Sequence, residues 1–225
     1  MKKLVLTLDI DNYAPELMRL TRPFQELHAA KIGADFKVIS SRKFPDMPAS
    51  AEKFQTREFG RDYDYTLYVD ADALILPDCP DLFEMFNDKS CVFFNGVDNR
   101  LDRFKADIYS RRSNSRVGAC TWLVGASNWN LEDLWTPPQD FEASVKNISL
   151  MWCEAKTGQC AKEHLIDDYT LSCNIARYGL KVRTVTELVR ELNRPPVWFT
   201  HLYNCSLHDK MVAIRRRLDE EGISY

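Results

Sequence analysis

The segment Leu67-Tyr68-Val69-Asp70-Ala71-Asp72-Ala73-Leu74-Ile75-Leu76 holds two carboxylates one residue apart, with apolar runs on both sides. Short apolar runs of this kind read as buried strands, so Asp70 and Asp72 fall where a strand leaves its sheet. In α/β sheets, ligands collect beyond the carboxyl ends of the strands. Two acids at such an edge repel each other unless a cation lies between them. A hard divalent cation with oxygen ligands satisfies both, and that cation can in turn hold a diphosphate. A solvated turn would use the same two acids, but it would not need apolar flanks on either side.

Other residues could join this chemistry. Asp167-Asp168 precedes Tyr169-Thr170-Leu171-Ser172. Acids favour the first turn of a helix for dipole reasons alone; a carboxylate there can also serve as a general base, a role worth about 10²–10⁴-fold in rate. His201 follows the strand-like run Val197 to Thr200 and reads by itself as structural more often than as a ligand. Lys210 falls in the first turn of the last helix, and a helix N-terminus carrying a lysine is a sound diphosphate site. Cys153, Cys160 and His164 match no common zinc spacing.

The elements that must position these residues follow from periodicity. Lys3 to Leu8 reads as a buried first strand, followed by the loop Asp11-Asn12-Tyr13. Pro15 suits a helix's first turn; Leu17, Leu20, Phe24 and Leu27 recur at helical spacing, and Pro23 predicts a kink or division. Phe36 to Ser40 reads as a strand, Ala51 to Phe59 as a helix, Thr66 to Val69 as a strand and Ala73 to Leu76 as a short apolar segment. Leu82 to Phe86 is a short helix, and Cys91 to Phe94 and Thr121 to Val124 are strands. A helix carrying Leu171, Ile175 and Tyr178 ends near Gly179. Ser206 opens a final helix, with Asp209 in a capping-box variant, Leu207, Met211, Ile214 and Leu218 on one face, and Gly222 closing it. This alternation predicts an α/β fold with a mainly parallel mixed sheet flanked by helices. The polar stretch Asn99 to Arg116 reads as a solvated surface.

Composition narrows the function classes. The chain has 225 residues with 45% hydrophobic and 28% charged, enough for one domain with a real core. A net charge of -3 argues against broad nucleic-acid binding. Its eight glycines include no G-x-G spacing, which removes the Rossmann fingerprint and the Walker A loop. The run Leu4 to Leu8 is too short for a signal-peptide core or a membrane span. Seven scattered cysteines read as reduced thiols, so a cytoplasmic, soluble protein is expected.

Tyr68-Val69-Asp70-Ala71-Asp72 resembles the D-x-D motif of GT-A-fold glycosyltransferases, which use nucleotide-sugar donors. Thr7 to Tyr13 is similar to the first strand and nucleotide loop of the glycogenin-like and bacterial galactosyltransferase-like members. Ala51 to Phe54, leading to Tyr65, resembles the helix before the motif strand, and Phe199-Thr200-His201 resembles the strand whose His completes the metal site. The resemblance spans roughly residues 3 to 205.

It implies a single GT-A domain over residues 1–205, with residues 206–225 forming a C-terminal helix packed on it. It implies that Asp70, Asp72 and His201 hold Mn²⁺ or Mg²⁺, with Asp70 also near the ribose. Asp11 and Tyr13 would hold the base, and Lys53 or Arg57 the ribose or diphosphate. Asp168 or Asp167 would face the acceptor. The family's Gly and Lys-Pro-Trp after the metal His are missing; His208 and Lys210 stand there instead, with Lys210 the diphosphate candidate. The implied activity is transfer of a hexose from a nucleotide diphosphate donor, a UDP-sugar, to a hydroxyl of a glycan or glycoconjugate, retaining or inverting. Aromatic stacking on sugar points to Trp122 or Trp129.

Two rival readings remain at this point. Asp9-Ile10-Asp11 resembles the nucleophile segment of haloacid-dehalogenase-like phosphatases, with Tyr13 where those enzymes favour Thr or Val. A non-catalytic nucleotide-sugar-binding module would keep the fold and lose turnover.

Overall fold

A computed structural model describes residues 1–86, 88–95, 119–148, 161–187, 198–202 and 205–225. The basic part of Asn99 to Arg116, Trp152, Cys153 and Cys160 lie outside the described residues. The first strand, β1 (Lys3–Leu8), is followed by α1 (Pro15–Lys31), β2 (Ala34–Ile39), a 3-10 turn (Ala49–Gln55), α2 (Thr56–Phe59) and β3 (Tyr65–Val69). Then come β4 (Leu74–Ile75), α3 (Leu82–Met85), β5 (Cys91–Phe94), β6 (Leu123–Ser127), α4 (Asn128–Leu134) and α5 (Phe141–Asn147). The chain continues with α6 (Ile166–Tyr178), β7 (Lys181–Thr184), β8 (Phe199–Thr200) and α7 (Leu207–Glu220).

Six strands form one sheet in the order β2-β1-β3-β6-β5-β7. β1 runs parallel to β2 and β3, and β5 parallel to β7, while β6 lies antiparallel between β3 and β5. The sheet is therefore mixed and mainly parallel, as the alternation of elements predicts. Every residue of β3 is buried, because helices cover both faces of a mostly parallel sheet. One core cluster joins the sheet to Phe54, Leu131, Leu134, Trp135 and the apolar face of α6. A second joins it to Ala29, Leu82, Phe83 and Phe86. A third packs Ile214 and Leu218 of α7 against Ala14 and Leu17 at the start of α1 and Leu74 and Leu76 around β4.

Several local expectations shift. α1 runs through Pro23 as one helix. Pro23 and Arg19 are both exposed, so the carbonyl that proline leaves without a donor faces water, where its loss costs least. The buried face of α1 includes Thr21, Gln25 and His28, while Leu27 is exposed; an apolar-only pattern cannot find such a face. The segment before Phe59 is 3-10 up to Gln55 and helical only from Thr56. β6 starts at Leu123, after a turn at Thr121 and Trp122. α4, α5 and β7 carry weak apolar periodicity; α5 is marked by its cap, since the Asp140 carboxylate accepts from the Ala143 N–H.

Gly125 in β6 faces the Phe93 ring so closely that an added Cβ would sit 1.9 Å from a ring carbon. Phe93 is itself stacked on Phe86, with centroids 4.4 Å apart, so the ring has little room to withdraw. Gly125→Ala is expected to destabilise the protein by about 2 kcal/mol, seen as a melting midpoint roughly 4–8 °C lower. An unchanged midpoint would show that the ring can step aside.

Candidate functional site

The site forms where β3 ends. Because β6 is antiparallel to β3, its N-terminal end meets the carboxyl end of β3, with Val69 opposite Leu123. The Asp70 N–H extends that ladder by donating to the Trp122 carbonyl at 2.8 Å. Thr121 and Trp122 are thereby fixed beside the acidic turn. β4 and β8 form a separate two-stranded sheet in which Leu74 pairs with Thr200. That register carries His201 back to the turn. Its Nε2 lies 3.3 Å from Asp72 Oδ1 and 3.9 Å from Asp70 Oδ2. One ligand atom from each of Asp70, Asp72 and His201 falls within 4.8 Å of the others. Trp122 stacks on the imidazole, with ring centroids 4.8 Å apart and planes 12° from parallel.

Buried polar groups on α1 hold the turn from beneath. Gln25 Nε2 donates to the carbonyls of Asp70 and Ala73, both at 2.9 Å. Thr21 donates its hydroxyl to the Ala71 carbonyl. Sequence reasoning missed both residues; the available signal was a pair of polar side chains four apart within an otherwise packed helix.

Lys53 lies just behind the turn and is almost wholly buried. Its Nζ is 2.7 Å from Asp70 Oδ1, 2.8 Å from Asp167 Oδ2 and 3.4 Å from Thr121 Oγ1. Burial works against its charge, but the Asp167 and Asp70 carboxylates prevail and hold the ammonium protonated well above the usual lysine range. Burial likewise opposes ionisation of Asp167, and Lys53 overcomes it, so that carboxylate stays ionised. Asp72 is held well below the usual carboxylate range: burial would raise it, and His201 and Lys210 more than reverse this. Lys210, from the first turn of α7, forms an ion pair with Asp72. Three carboxylates, Asp70, Asp72 and Asp167, thus face two ammonium groups.

Asp168 behaves differently from its neighbour. Thr121 Oγ1 lies 2.7 Å from both Asp167 Oδ2 and Asp168 Oδ1. The single hydroxyl proton serves one of these carboxylates at a time, and Asp168 Oδ1 also accepts from the Thr121 N–H at 2.9 Å. Burial and the Asp167 charge push Asp168 up to about 7, outweighing the Thr121 donors and Lys53, which favour its ionised form.

The remaining sequence candidates are more scattered. Tyr13 is 67% exposed and contributes to the field at Lys210. Asp11 has a φ of 58° and pairs with Arg42 at the exposed end of β1. Asp9 and Asp11 belong to no cluster of metal-ligating side chains among the described residues, and Asp167-Asp168 turns to Lys53 and Thr121 instead of towards them. Arg57 pairs with Glu132 on α4, and His208 is exposed. Trp129 is 73% exposed and follows the far end of β6, where Ser127 pairs with the first residue of β3. It stands at the opposite edge of the sheet from Asp70.

Two partly exposed carboxylates and an imidazole converge, and the turn beneath them is fixed by hydrogen bonds. That set fits a divalent cation.

No protein-family model matches the sequence, and neither does any curated protein sequence. Solved structures do match. A glycosyltransferase involved in glycosylation of the major capsid of PBCV-1 superposes with a TM-score of 0.54 at 12% identity, covering 96% of this chain and 100% of that one. The galactosyltransferase LgtC, in complex with donor and acceptor sugar analogues, superposes with a TM-score of 0.52 at 12% identity, covering 95% of each chain. The chain has a GT-A fold. In that fold, β3 ends at the Asp70-Ala71-Asp72 turn, and β8 brings His201 beside it. No described helix is long and apolar enough to cross a membrane.

The raised Asp168 gives a signed pH dependence. An unfolded Asp titrates near about 3.9, so between there and about 7 the folded state holds a proton that the unfolded state has lost. Stability contributed by this group therefore falls as pH rises through that window. Asp168→Asn is expected to raise the melting midpoint over wild type at pH 8 and to leave it nearly unchanged at pH 4. An equal effect at both pH values would contradict the raised Asp168 carboxyl.

Proposed function

We propose that the protein is a glycosyltransferase that moves a sugar from a nucleotide diphosphate donor, a UDP-sugar, to a hydroxyl of a glycan or glycoconjugate. The observation that carries this reading is the convergence of Asp70, Asp72 and His201 at the carboxyl end of β3 in a GT-A fold. Support for the ligand class comes from LgtC, whose structure holds donor and acceptor sugar analogues.

Asp70 Oδ2, Asp72 Oδ1 and His201 Nε2 would hold the cation. Imidazole is a softer ligand than carboxylate, which favours Mn²⁺ over Mg²⁺. A bound divalent cation supplies neutralisation of the charge that grows on the diphosphate as it leaves. This chain's own residues do the rest. Lys210 sits at the N-terminal end of α7, where ammonium and helix dipole together attract phosphate oxygens. Tyr13 offers an exposed ring for the base to stack on. The bond between the anomeric carbon and the diphosphate oxygen breaks, and a bond from that carbon to the acceptor oxygen forms. The acceptor's hydroxyl proton leaves with Asp168, once ionised, or with the departing diphosphate. With its carboxyl near neutrality, Asp168 is poised to take or return a proton at working pH. Trp122, stacked on His201, would line the acceptor side.

The reading is tested by melting the protein with UDP or GDP, each with and without Mn²⁺, for wild type and Asp72→Asn. A ligand at about 100 times its Kd adds roughly 2.7 kcal/mol of apparent stability. The expected result is a Mn²⁺-dependent gain with UDP that is lost in the variant, together with slow hydrolysis of a UDP-sugar. Binding without hydrolysis or transfer would instead favour a non-catalytic binding module, and no gain with either nucleotide would refute a donor site.

A further inference from the structure

Tyr68 is fully buried two residues before Asp70. Strand side chains alternate between faces, so residues two apart lie side by side. Tyr68 packs edge-on against Trp135, with centroids 5.5 Å apart, and its hydroxyl donates to Asp70 Oδ1 at 2.8 Å. A buried phenol needs a partner, and here it finds the first carboxylate of the acidic turn. The Lys53 ammonium approaches that same oxygen at 2.7 Å. Asp70 Oδ1 is therefore occupied from the core side by two donors. Its other oxygen, Oδ2, faces His201. Asp72 shows a matching division: Oδ2 carries the Lys210 ion pair and Oδ1 faces His201.

We propose that Tyr68 is a positioning residue of the cation site: by holding Asp70 Oδ1 it turns Asp70 into a one-oxygen ligand. The inference rests on the functional reading above and deepens it, because it states which cations the site accepts. With Tyr68 and Lys53 both on Oδ1 of Asp70, that residue offers the cation a single atom. Small octahedral cations suit such a ligand, with the remaining positions left to phosphate or water. Ca²⁺ is the poor match, since it takes six to eight oxygens and readily uses both oxygens of a carboxylate. Removing the phenol hydroxyl leaves Oδ1 held by Lys53 alone, which loosens the orientation of Asp70, weakens the small cation and removes part of the penalty on Ca²⁺.

The test is Mn²⁺ titration with UDP present, reading free Mn²⁺ by electron paramagnetic resonance, followed by displacement with Ca²⁺. It compares wild type with Tyr68→Phe, which keeps the ring and loses one oxygen atom. Tyr68→Leu is carried alongside, so that the conclusion does not rest on one repacked core. The expected result is Mn²⁺ binding weakened by about 10–100-fold, the range typical for loss of a partner behind a metal ligand. The ratio of Ca²⁺ to Mn²⁺ dissociation constants should fall in both variants. This ratio separates positioning from general loosening, which would weaken both ions alike. Unchanged Mn²⁺ affinity in folded Tyr68→Phe, or an unchanged ratio, overturns the positioning role and leaves the functional reading standing. Absence of Mn²⁺ binding by the wild type overturns both.

Discussion

Two carboxylates at the end of one strand repel each other, and much of this structure can be understood as the means of holding them there. Asp70 is met by Lys53 and Tyr68, and Asp72 by Lys210 and His201. The backbone between them is tied down by Gln25 and Thr21. Lys53 also neutralises Asp167, so one buried ammonium links the acidic turn to the start of α6. Breaking such a buried pair by removing one partner is costly, because the remaining charge has no water to turn to. The arrangement leaves Asp70 Oδ2 and Asp72 Oδ1 turned to His201, where a divalent cation would be received on the proposed reading.

The topology is what allows these groups to meet. The antiparallel insertion of β6 brings Thr121 and Trp122 to the carboxyl end of β3. The small β4–β8 pairing returns the chain for His201, and the packing of Ile214 and Leu218 against Leu17 and Leu74 brings the N-terminal end of α7, with Lys210, over Asp72. Residues from the 3-10 turn, β3, the turn before β6, α6, β8 and α7 thus converge on one edge of the sheet. None of these contacts is local in sequence except those within the acidic turn and the Asp167-Asp168 pair.

What could be read from the sequence follows from that distinction. The acidic turn was legible because apolar strands bracket it within ten residues, and the central strands were legible because their burial is nearly continuous. The final helix declared itself through Ser206, which caps the Asp209 N–H, and through its apolar face. Lys53 was visible as a candidate but not as a buried bridge, because nothing near it in sequence reveals Asp70 and Asp167 as its partners. Gln25 and Thr21 were hidden for a related reason: polar groups used inside a core look like interruptions of an apolar pattern, whereas Tyr68 passes as one more apolar residue of its strand. Trp129 misled because an exposed aromatic reads the same at either end of a strand, and only the direction of β6 decides which end it is.

The most direct measurement of the central claim is anomalous diffraction at the manganese edge from crystals grown with Mn²⁺ and UDP. The account predicts a single strong peak in contact with Asp70, Asp72 and His201, with the diphosphate beside it. A peak elsewhere, or an acidic turn that remains paired only with Lys53 and Lys210 at saturating Mn²⁺ and UDP, would contradict it.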